Sequence, residues 1–116
     1  LASSAASDVY KRQVKDKNVI LVDDMVDTAG TITKAADLML AEGAKSVRAL
    51  ASHAIMSEPA SERVQNCGLT EMIFTNSIPF NKDCKKATIL SVAKLFADTI
   101  RRVHNNESIS SQYLIK

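Results

Sequence analysis

The feature that most constrains this fold is an apolar run that ends in two acids. Residues Val19–Val22 carry no polar side chain, and Asp23 and Asp24 follow directly. A strand with one face in water alternates apolar and polar residues, whereas an unbroken apolar run is typical of a strand buried on both faces. We therefore predict a buried strand from Asn18 to Val22 in a parallel sheet.

A helix is predicted after the acidic segment. Its apolar residues recur at i, i+3, i+4, i+7 and i+8, which places them on one face of a helix. Gly43 follows the last of them, where a left-handed residue often ends a helix. The apolar positions are Ile32, Ala35, Ala36, Met39 and Leu40.

The same alternation of strand and helix continues along the chain. We predict a strand at about Ser46 to Ser52 and then a helix near Pro59 that buries Val64. Two more strands follow, "EMIFTNSI" (71–78, ended by Pro79) and "ATILSV" (87–92). The last helix would be capped by Ser91. Its common face would hold Val92, Phe96, Ile100 and Val103.

This order of elements predicts an α/β fold, with a Rossmann-like parallel sheet, flanking helices and right-handed crossovers in a doubly wound arrangement. The 116 residues suit one domain. Sites in such sheets lie at the carboxyl ends of the strands, where the acidic segment falls. Residues 1–13 are small, polar and without periodicity, so we place them outside the fold as a tail.

Composition excludes several functions. A formal net charge of +2 without a saturated basic face gives no reason to expect nucleic-acid binding, and no apolar run is long enough for a membrane span. The basic clusters at residues 82–86 and 101–102 are interpreted as solvated. Cys67 and Cys84 are too few for a disulfide framework and indicate a reduced, cytosolic protein. His53 and His104 are isolated and interpreted as structural.

The acidic segment can bind a sugar phosphate. Asp23 and Asp24 could accept hydrogen bonds from sugar hydroxyls or help to hold a hydrated divalent cation, if both reach one crevice where the strand stops. The turn from Asp27 to Thr31 leads into a helix start, where free N–H groups favour anions. Small Ala29 and Gly30 would let a phosphate approach, and Thr28 and Thr31 add hydroxyls.

Simpler interpretations exist for each residue alone. Asp27 or Thr28 could cap the helix, and the acid pair could be a solvated strand end. The glycine motifs of dinucleotide-binding folds and of nucleoside-triphosphate-binding loops are both excluded, because Gly30 has no second glycine at the required spacing and no following Lys-Ser/Thr. A receiver domain would need a later phosphoacceptor aspartate, yet no Asp occurs between Asp37 and Asp83.

"VILVDDMVDTAGTI" resembles the phosphoribosyl-diphosphate motif of the type I phosphoribosyltransferase fold, and most closely the ribose-phosphate diphosphokinase family. The resemblance continues in "GAKSVRALASHAIMSEPASERV", "LTEMIFTNSIP" and "LSVAKLFADTIRRVHNNESIS". It covers the chain from about Val14 to its end. The ending "RRVHNNESIS" favours the diphosphokinases over other members of the fold.

The resemblance implies specific roles. Asp23 and Asp24 would bind the ribose hydroxyls of ribose 5-phosphate, and residues 27–31 would surround its phosphate. The reaction would transfer the diphosphoryl group of ATP to the C1 hydroxyl, with Mg²⁺. The family is cytoplasmic and hexameric, and Ser108, Ser110 and Ser111 are the tail residues that could join a regulatory site. A disordered polar tail is the alternative for these serines.

The family's ATP-binding loop, metal-binding histidine and basic catalytic loop are absent from this sequence. Lys11 and Arg12 imitate the basic loop only superficially. We therefore expect residues 14–116 to form part of a C-terminal domain, with an open sheet edge, and to be inactive alone. The alternatives are a salvage-type phosphoribosyltransferase and a regulatory relative without catalysis.

Overall fold

The computed structural model describes residues 13–113 and shows a parallel four-stranded sheet in the order β1-β2-β3-β4. The strands are β1 (Asn18–Val26), β2 (Ser46–Ala54), β3 (Glu71–Thr75) and β4 (Ala87–Leu90). The helices are α1 (Gly30–Ala41), α2 (Ala60–Asn66) and α3 (Ala93–His104), followed by a 3₁₀ helix at Ser110–Tyr113. The predicted α/β fold with a parallel sheet and flanking helices is confirmed.

The core lies between one face of the sheet and helices α1 and α2. Their inward residues belong to one buried cluster, which also contains alternate residues of β2 and β3. Ile32 and Ala36 of α1 are buried as predicted, and so is Val64 of α2. The cluster in β2 and β3 consists of Val47, Ala49, Ala51, Ala54, Met72 and Phe74.

Both helices pack on the same face because the strands are added in one direction. Each right-handed crossover that steps to the next strand in the same direction places its helix on the same side. Covering both faces would require a reversal of strand order, and the described strands do not provide one. The doubly wound prediction is therefore wrong for residues 13–113.

The prediction for β1 needs two corrections. The strand extends to Val26 rather than ending at Val22, because its ladder with β2 continues through Asp23, Met25 and Val26. It is also not buried on both faces, since Ile20 and Val22 are exposed. β1 is one of the two outer strands of the described sheet and leaves an open edge, as expected.

Other element ends differ by a few residues. β2 runs on to Ala54, and β3 stops at Thr75 rather than near Ile78. Gly43 has a φ of 98° and follows α1, which confirms the predicted left-handed ending. At α3 the N-cap residue is Val92 rather than Ser91, although the Ser91 hydroxyl accepts a hydrogen bond from the Ala93 N–H at 3.2 Å.

Helix α3 carries the predicted apolar stripe but does not bury it. Phe96, Ile100 and Val103 are exposed, and the helix has no buried residue. The amphipathic pattern was therefore interpreted correctly as a helix, but its face has no partner within residues 13–113. The tail predicted at residues 1–13 lies outside the described residues, except for Gln13, which is helical.

Candidate functional site

The turn between β1 and α1 is built by a residue in the left-handed region. Ala29 has a φ of 63° and a ψ of 11°, and it is the N-cap residue of α1. Its side chain belongs to the buried core, which holds this uncommon conformation in place. No side-chain hydrogen bond caps the helix. The simpler interpretation of Asp27 or Thr28 as a cap is therefore wrong.

The start of α1 leaves backbone donors free. The first hydrogen bond of the helix runs from the Thr33 N–H to the Ala29 carbonyl at 3.2 Å. The N–H groups of Gly30, Thr31 and Ile32 precede this bond and have no acceptor among the described residues. Three successive donors at the positive end of a helix form a suitable environment for an anion.

A cavity of about 240 Å³ lies on one side of this turn. Its wall combines the free donors with two carboxylates, so one open space meets both parts of the predicted sugar-phosphate site. The lining residues are Asp23, Met25, Val26, Asp27, Thr28, Ala29, Gly30, Thr31 and Ile32. The structure thus brings together six of the seven predicted site residues, all except Asp24.

Asp23 and Asp24 do not line the same cavity. β1 continues past both residues, and consecutive strand residues point to opposite sides of a sheet. Each carboxylate accepts a hydrogen bond at 2.8 Å from the N–H of the following residue, Asp24 for Asp23 and Met25 for Asp24. Asp23 lines the cavity and Asp24 does not, so the expectation that both carboxylates reach one crevice is wrong. A role of Asp24 toward the sugar stays a prediction.

A second and larger cavity, of about 410 Å³, also borders the turn. It shares Thr28, Gly30 and Thr31 with the first cavity but adds side chains from α1 and α2. These additional residues are Thr33, Lys34, Asp37, Arg63, Asn66 and Cys67. The turn therefore borders both an acidic cavity and a larger one whose lining includes Lys34, Arg63 and Asp37.

Sequence reasoning missed Arg63. Its Nη1 donates a hydrogen bond to the carbonyl oxygen of Thr28 at 3.1 Å, across 35 positions of sequence. The only local signal was its place beside buried Val64, which indicates an exposed position on α2. That pattern cannot specify a contact with a turn so far away in the chain.

The three predicted regulatory serines lie together at the end of α3. Arg102 donates to the Ser108 carbonyl at 3.1 Å and to the Ser111 hydroxyl at 3.2 Å, and the Ser108 and Ser110 hydroxyls are 3.1 Å apart. Gln112 binds Asp98 and Thr99 of α3. The alternative of a disordered tail is wrong as far as Tyr113, and a regulatory role stays a prediction.

The remaining singled-out side chains have ordinary partners. His53 Nδ1 lies 2.7 Å from the Ser77 hydroxyl. Cys67 and Cys84 are free thiols, half-buried in the structure. Within residues 13–113, no three His, Cys, Asp or Glu side chains form a group that could hold a metal ion. No helix in the same range is long and apolar enough to cross a bilayer.

Comparisons with known proteins give the family of this chain. The chain belongs to the family of the phosphoribosyl synthetase-associated domain, whose family model matches residues 10–115. It is 64% identical over 100 residues to the ribose-phosphate pyrophosphokinase of Porphyromonas gingivalis, covering 86% of this chain and 32% of that protein. The resemblance inferred from the sequence is therefore confirmed.

A more distant relative and a solved structure give the same result. Ribose-phosphate pyrophosphokinase 3 of Saccharomyces cerevisiae is 42% identical over 118 residues, which cover 99% of this chain and 36% of that protein. The crystal structure of phosphoribosylpyrophosphate synthetase from Mycobacterium smegmatis matches with a TM-score of 0.77 and 46% identity, covering 80% of this chain and 32% of that one. The chain thus spans about a third of the length of the relatives it matches.

Proposed function

We propose that the turn between β1 and α1 binds ribose 5-phosphate as part of a ribose-phosphate diphosphokinase. One observation carries this proposal: a single cavity is lined both by the free helix-start donors and by Asp23 and Asp27. The phosphate would accept hydrogen bonds from the N–H groups of Gly30 and Thr31. The sugar hydroxyls would donate to the carboxylates.

The division of the cavity wall suits this ligand. A phosphate dianion is favoured by helix-start N–H groups and by the hydroxyls of Thr28 and Thr31. The same anion would be repelled by Asp23 and Asp27 if it lay beside them. A ligand with hydroxyls at one end and a phosphate at the other satisfies both halves of the wall, and a free phosphate satisfies only one.

The reaction that we propose for the whole protein starts from this bound sugar. The C1 hydroxyl oxygen would attack the β-phosphorus of ATP. The bond from that phosphorus to the oxygen bridging it to the α-phosphorus would break, the hydroxyl would lose its proton, and AMP would leave. The products would be 5-phosphoribosyl 1-diphosphate and AMP. Binding the sugar close to the donor would supply the advantage of proximity.

Mg²⁺ belongs to the proposal through the family alone. Among residues 13–113, no three His, Cys, Asp or Glu side chains form a group that could hold a metal ion. No step of the reaction is therefore assigned to a metal bound by these residues. A cytoplasmic, hexameric parent enzyme that also binds ATP is part of the same proposal, and so is a C-terminal domain formed by residues 14–116 of this chain.

Calorimetry with ribose 5-phosphate tests the site. We expect Thr31→Ala to weaken binding about tenfold, because it removes one hydroxyl that can donate to a charged phosphate. Thr70→Ala is the matched control, since Thr70 is exposed and lies outside the cavity. Equal affinities of wild type and Thr31→Ala would contradict the assigned role of the turn.

The carboxylates are tested in the same way. Asp23→Asn should weaken binding of ribose 5-phosphate but not of inorganic phosphate, because only the sugar has hydroxyls for the acid. Asp83→Asn is the control, being an exposed aspartate away from this cavity. Asp24→Asn then decides whether the second acid contributes, since it does not line the cavity.

Activity separates the proposed reaction from the alternatives. This chain alone should release no AMP from ATP and ribose 5-phosphate, and the full-length parent should do so. A parent that instead consumed 5-phosphoribosyl 1-diphosphate only in the presence of a purine or pyrimidine base would be a phosphoribosyltransferase. A parent that bound the diphosphate without turnover would be a regulatory relative.

A further inference from the structure

Arg63 connects α2 to the turn between β1 and α1. Its backbone is fixed within a helix whose Ala60 and Val64 are fully buried. From this anchored position its guanidinium donates to the Thr28 carbonyl at 3.1 Å. Arg63 does not line the acidic cavity, so it contacts the turn without occupying the space for the ligand.

The guanidinium also lies directly against the start of α1. A Cβ atom added at Gly30 would lie 3.2 Å from Arg63 Nη1. This distance is shorter than ordinary van der Waals contact between a carbon and a nitrogen, so a side chain at residue 30 would push the guanidinium away. The absence of a side chain at residue 30 therefore leaves room for the guanidinium.

The hydrogen bond acts on the backbone that presents the donors. The Thr28 carbonyl and the Ala29 N–H belong to one rigid, planar peptide unit. Fixing the carbonyl toward Arg63 therefore fixes the direction of the Ala29 N–H, immediately before the free donors of Gly30 and Thr31. Ala29 is in the left-handed region, which few residues adopt without support from their surroundings.

We propose that Arg63 is a positioning residue, which holds the Thr28–Ala29 peptide so that the start of α1 presents its N–H groups to a phosphate. The inference rests on the proposed function for the identity of the ligand. The geometric part, that Arg63 sets the conformation of the turn, is independent of it. The ligand class is a sugar phosphate bound in the acidic cavity.

A purely structural connection between the helices is the competing explanation. The structure provides a separate connection of that kind, since Asp37 of α1 accepts a hydrogen bond at 2.8 Å from the Gly68 N–H just after α2. Asp37→Ala removes this connection without touching the turn. It is therefore the control for loosened packing between the two helices.

Lys34 offers a second control. It lines the same larger cavity as Arg63, and no hydrogen bond or ion pair from its side chain to another described residue is found. Lys34→Met removes a positive charge near the turn while leaving the bond to Thr28 in place. It separates a general effect of charge from the specific effect of the hydrogen bond.

The experiment compares Arg63→Met, Arg63→Lys, Lys34→Met and Asp37→Ala in this chain by calorimetry and by amide NMR. Arg63→Met should shift the backbone amide signals of residues 29–32 in the free protein. It should also weaken ribose 5-phosphate binding about tenfold, the usual effect of losing a hydrogen bond from a charged group. Arg63→Lys should recover part of both effects, because an ammonium group can also donate to the carbonyl.

The controls define the results that decide the inference. Lys34→Met should change affinity less than about threefold, as expected for an exposed charge. Asp37→Ala should lower stability but leave affinity and the amides of residues 29–32 unchanged. If Lys34→Met or Asp37→Ala reproduces Arg63→Met, or if Arg63→Met changes neither measurement, the inference is overturned.

Failure of the proposed function gives a different result. If the wild-type chain binds no ribose 5-phosphate, the proposed ligand is wrong. The amide signals then decide the inference alone: a shift confined to residues 29–32 in Arg63→Met supports the positioning role, and unchanged signals overturn it.

Discussion

The two faces of the sheet come from the same strands but have different surroundings. On the face toward α1 and α2, residues such as Ala49, Met72 and Phe74 are completely buried. On the opposite face, Ile20, Val22 and Leu90 are exposed, although their side chains are equally apolar. Alternation along a strand assigns a residue to a face, but the burial of that face depends on what is packed against it.

The difference explains where the candidate site lies. Ala29 and Ile32, on either side of the helix start, belong to the core of the covered face. Arg63 reaches the turn from α2 on that same face. The turn is therefore supported by the well-packed half of the molecule. The other face and the apolar stripe of α3 contribute nothing to it.

The largest difference in stability between the covered face of the sheet and the exposed helix α3 is expected for two phenylalanine substitutions. Phe74 is 0% exposed in β3, and Phe96 is 54% exposed in α3. Phe74→Ala should lower the free energy of unfolding by about 3–5 kcal/mol, because it leaves a cavity in the core. Phe96→Ala should cost less than about 1 kcal/mol, because its ring is already half in water.

Urea unfolding of the two phenylalanine variants measures this contrast. The substitution is identical, so the difference in midpoint reports the surroundings of each ring and not the residue type. Similar losses in both variants would contradict the comparison. They would show that the apolar stripe of α3 is packed in solution against something that residues 13–113 do not provide.

Replacing valine by threonine keeps the shape of the side chain but makes it polar. This substitution tests the same contrast between the two faces of the sheet, with a smaller expected change in stability. Val64 of α2 is 0% exposed, and Val22 of β1 is 73% exposed. Val64→Thr should destabilise the fold by about 1–3 kcal/mol, since it buries a hydroxyl without a designed partner. Val22→Thr should stay within about 0.5 kcal/mol of wild type, as usual for an exposed site.

Thermal unfolding of this valine pair is the appropriate measurement, because threonine keeps the volume and β-branching of valine. A large loss at Val22 would mean that the opposite face of the sheet is covered in solution. An unchanged stability at Val64 would mean that α2 is not docked as the structure has it. Either result would remove the contrast between the faces.

Local periodicity predicted the elements but not all of their contacts. The stripe containing Ile32 and Ala36 was sufficient to place α1, because helical spacing depends only on neighbouring residues. The interpretation of "VILV" as a strand buried on both faces was wrong because a partner for Ile20 and Val22 is not encoded in their spacing. The length of β1 was missed because Asp23 and Asp24 are unusual strand residues.

The candidate site, like the fold, was predicted in its local features but not in its long-range contacts. The order of acids, hydroxyls and Gly30 placed a helix start with free N–H groups correctly after β1, since helix starts have the same free donors in every protein. That this turn binds an anion stays a prediction. The left-handed Ala29 and the bond from Arg63 were not predicted. The conformation of Ala29 depends on support from the core, and the bond from Arg63 is a contact across 35 positions of sequence.

The smallest effect concerns the charged cluster that joins α3 to the 3₁₀ helix at Ser110–Tyr113. Asp98 is bound by Arg101 at 2.6 Å and by Arg102 at 2.9 Å. Gln112 of the 3₁₀ helix donates to the same carboxylate at 2.8 Å. The hydrogen bond from Arg101 is the largest cause that lowers the pKa of Asp98 below its usual range, with burial acting in the opposite direction and Arg102 adding to the lowering.

The sign of the pH dependence follows from this lowered pKa. The charged carboxylate favours the folded arrangement at pH values above the pKa that Asp98 has in the unfolded chain. This contribution is lost as the pH falls through the lower pKa of the folded state. Acidification should therefore loosen the 3₁₀ helix from α3 before it affects the core around Phe74, which contains no titratable group among its cluster residues.

An NMR titration of the Asp98 carboxyl carbon checks this prediction. Arg101→Gln should raise the titration midpoint, because it removes the hydrogen bond that lowers the pKa most. Arg48→Gln is the matched control, since Arg48 pairs with Glu71 on the sheet and has no bond to α3. A midpoint that Arg101→Gln leaves unchanged would contradict the assignment of the lowered pKa of Asp98 to the hydrogen bond from Arg101.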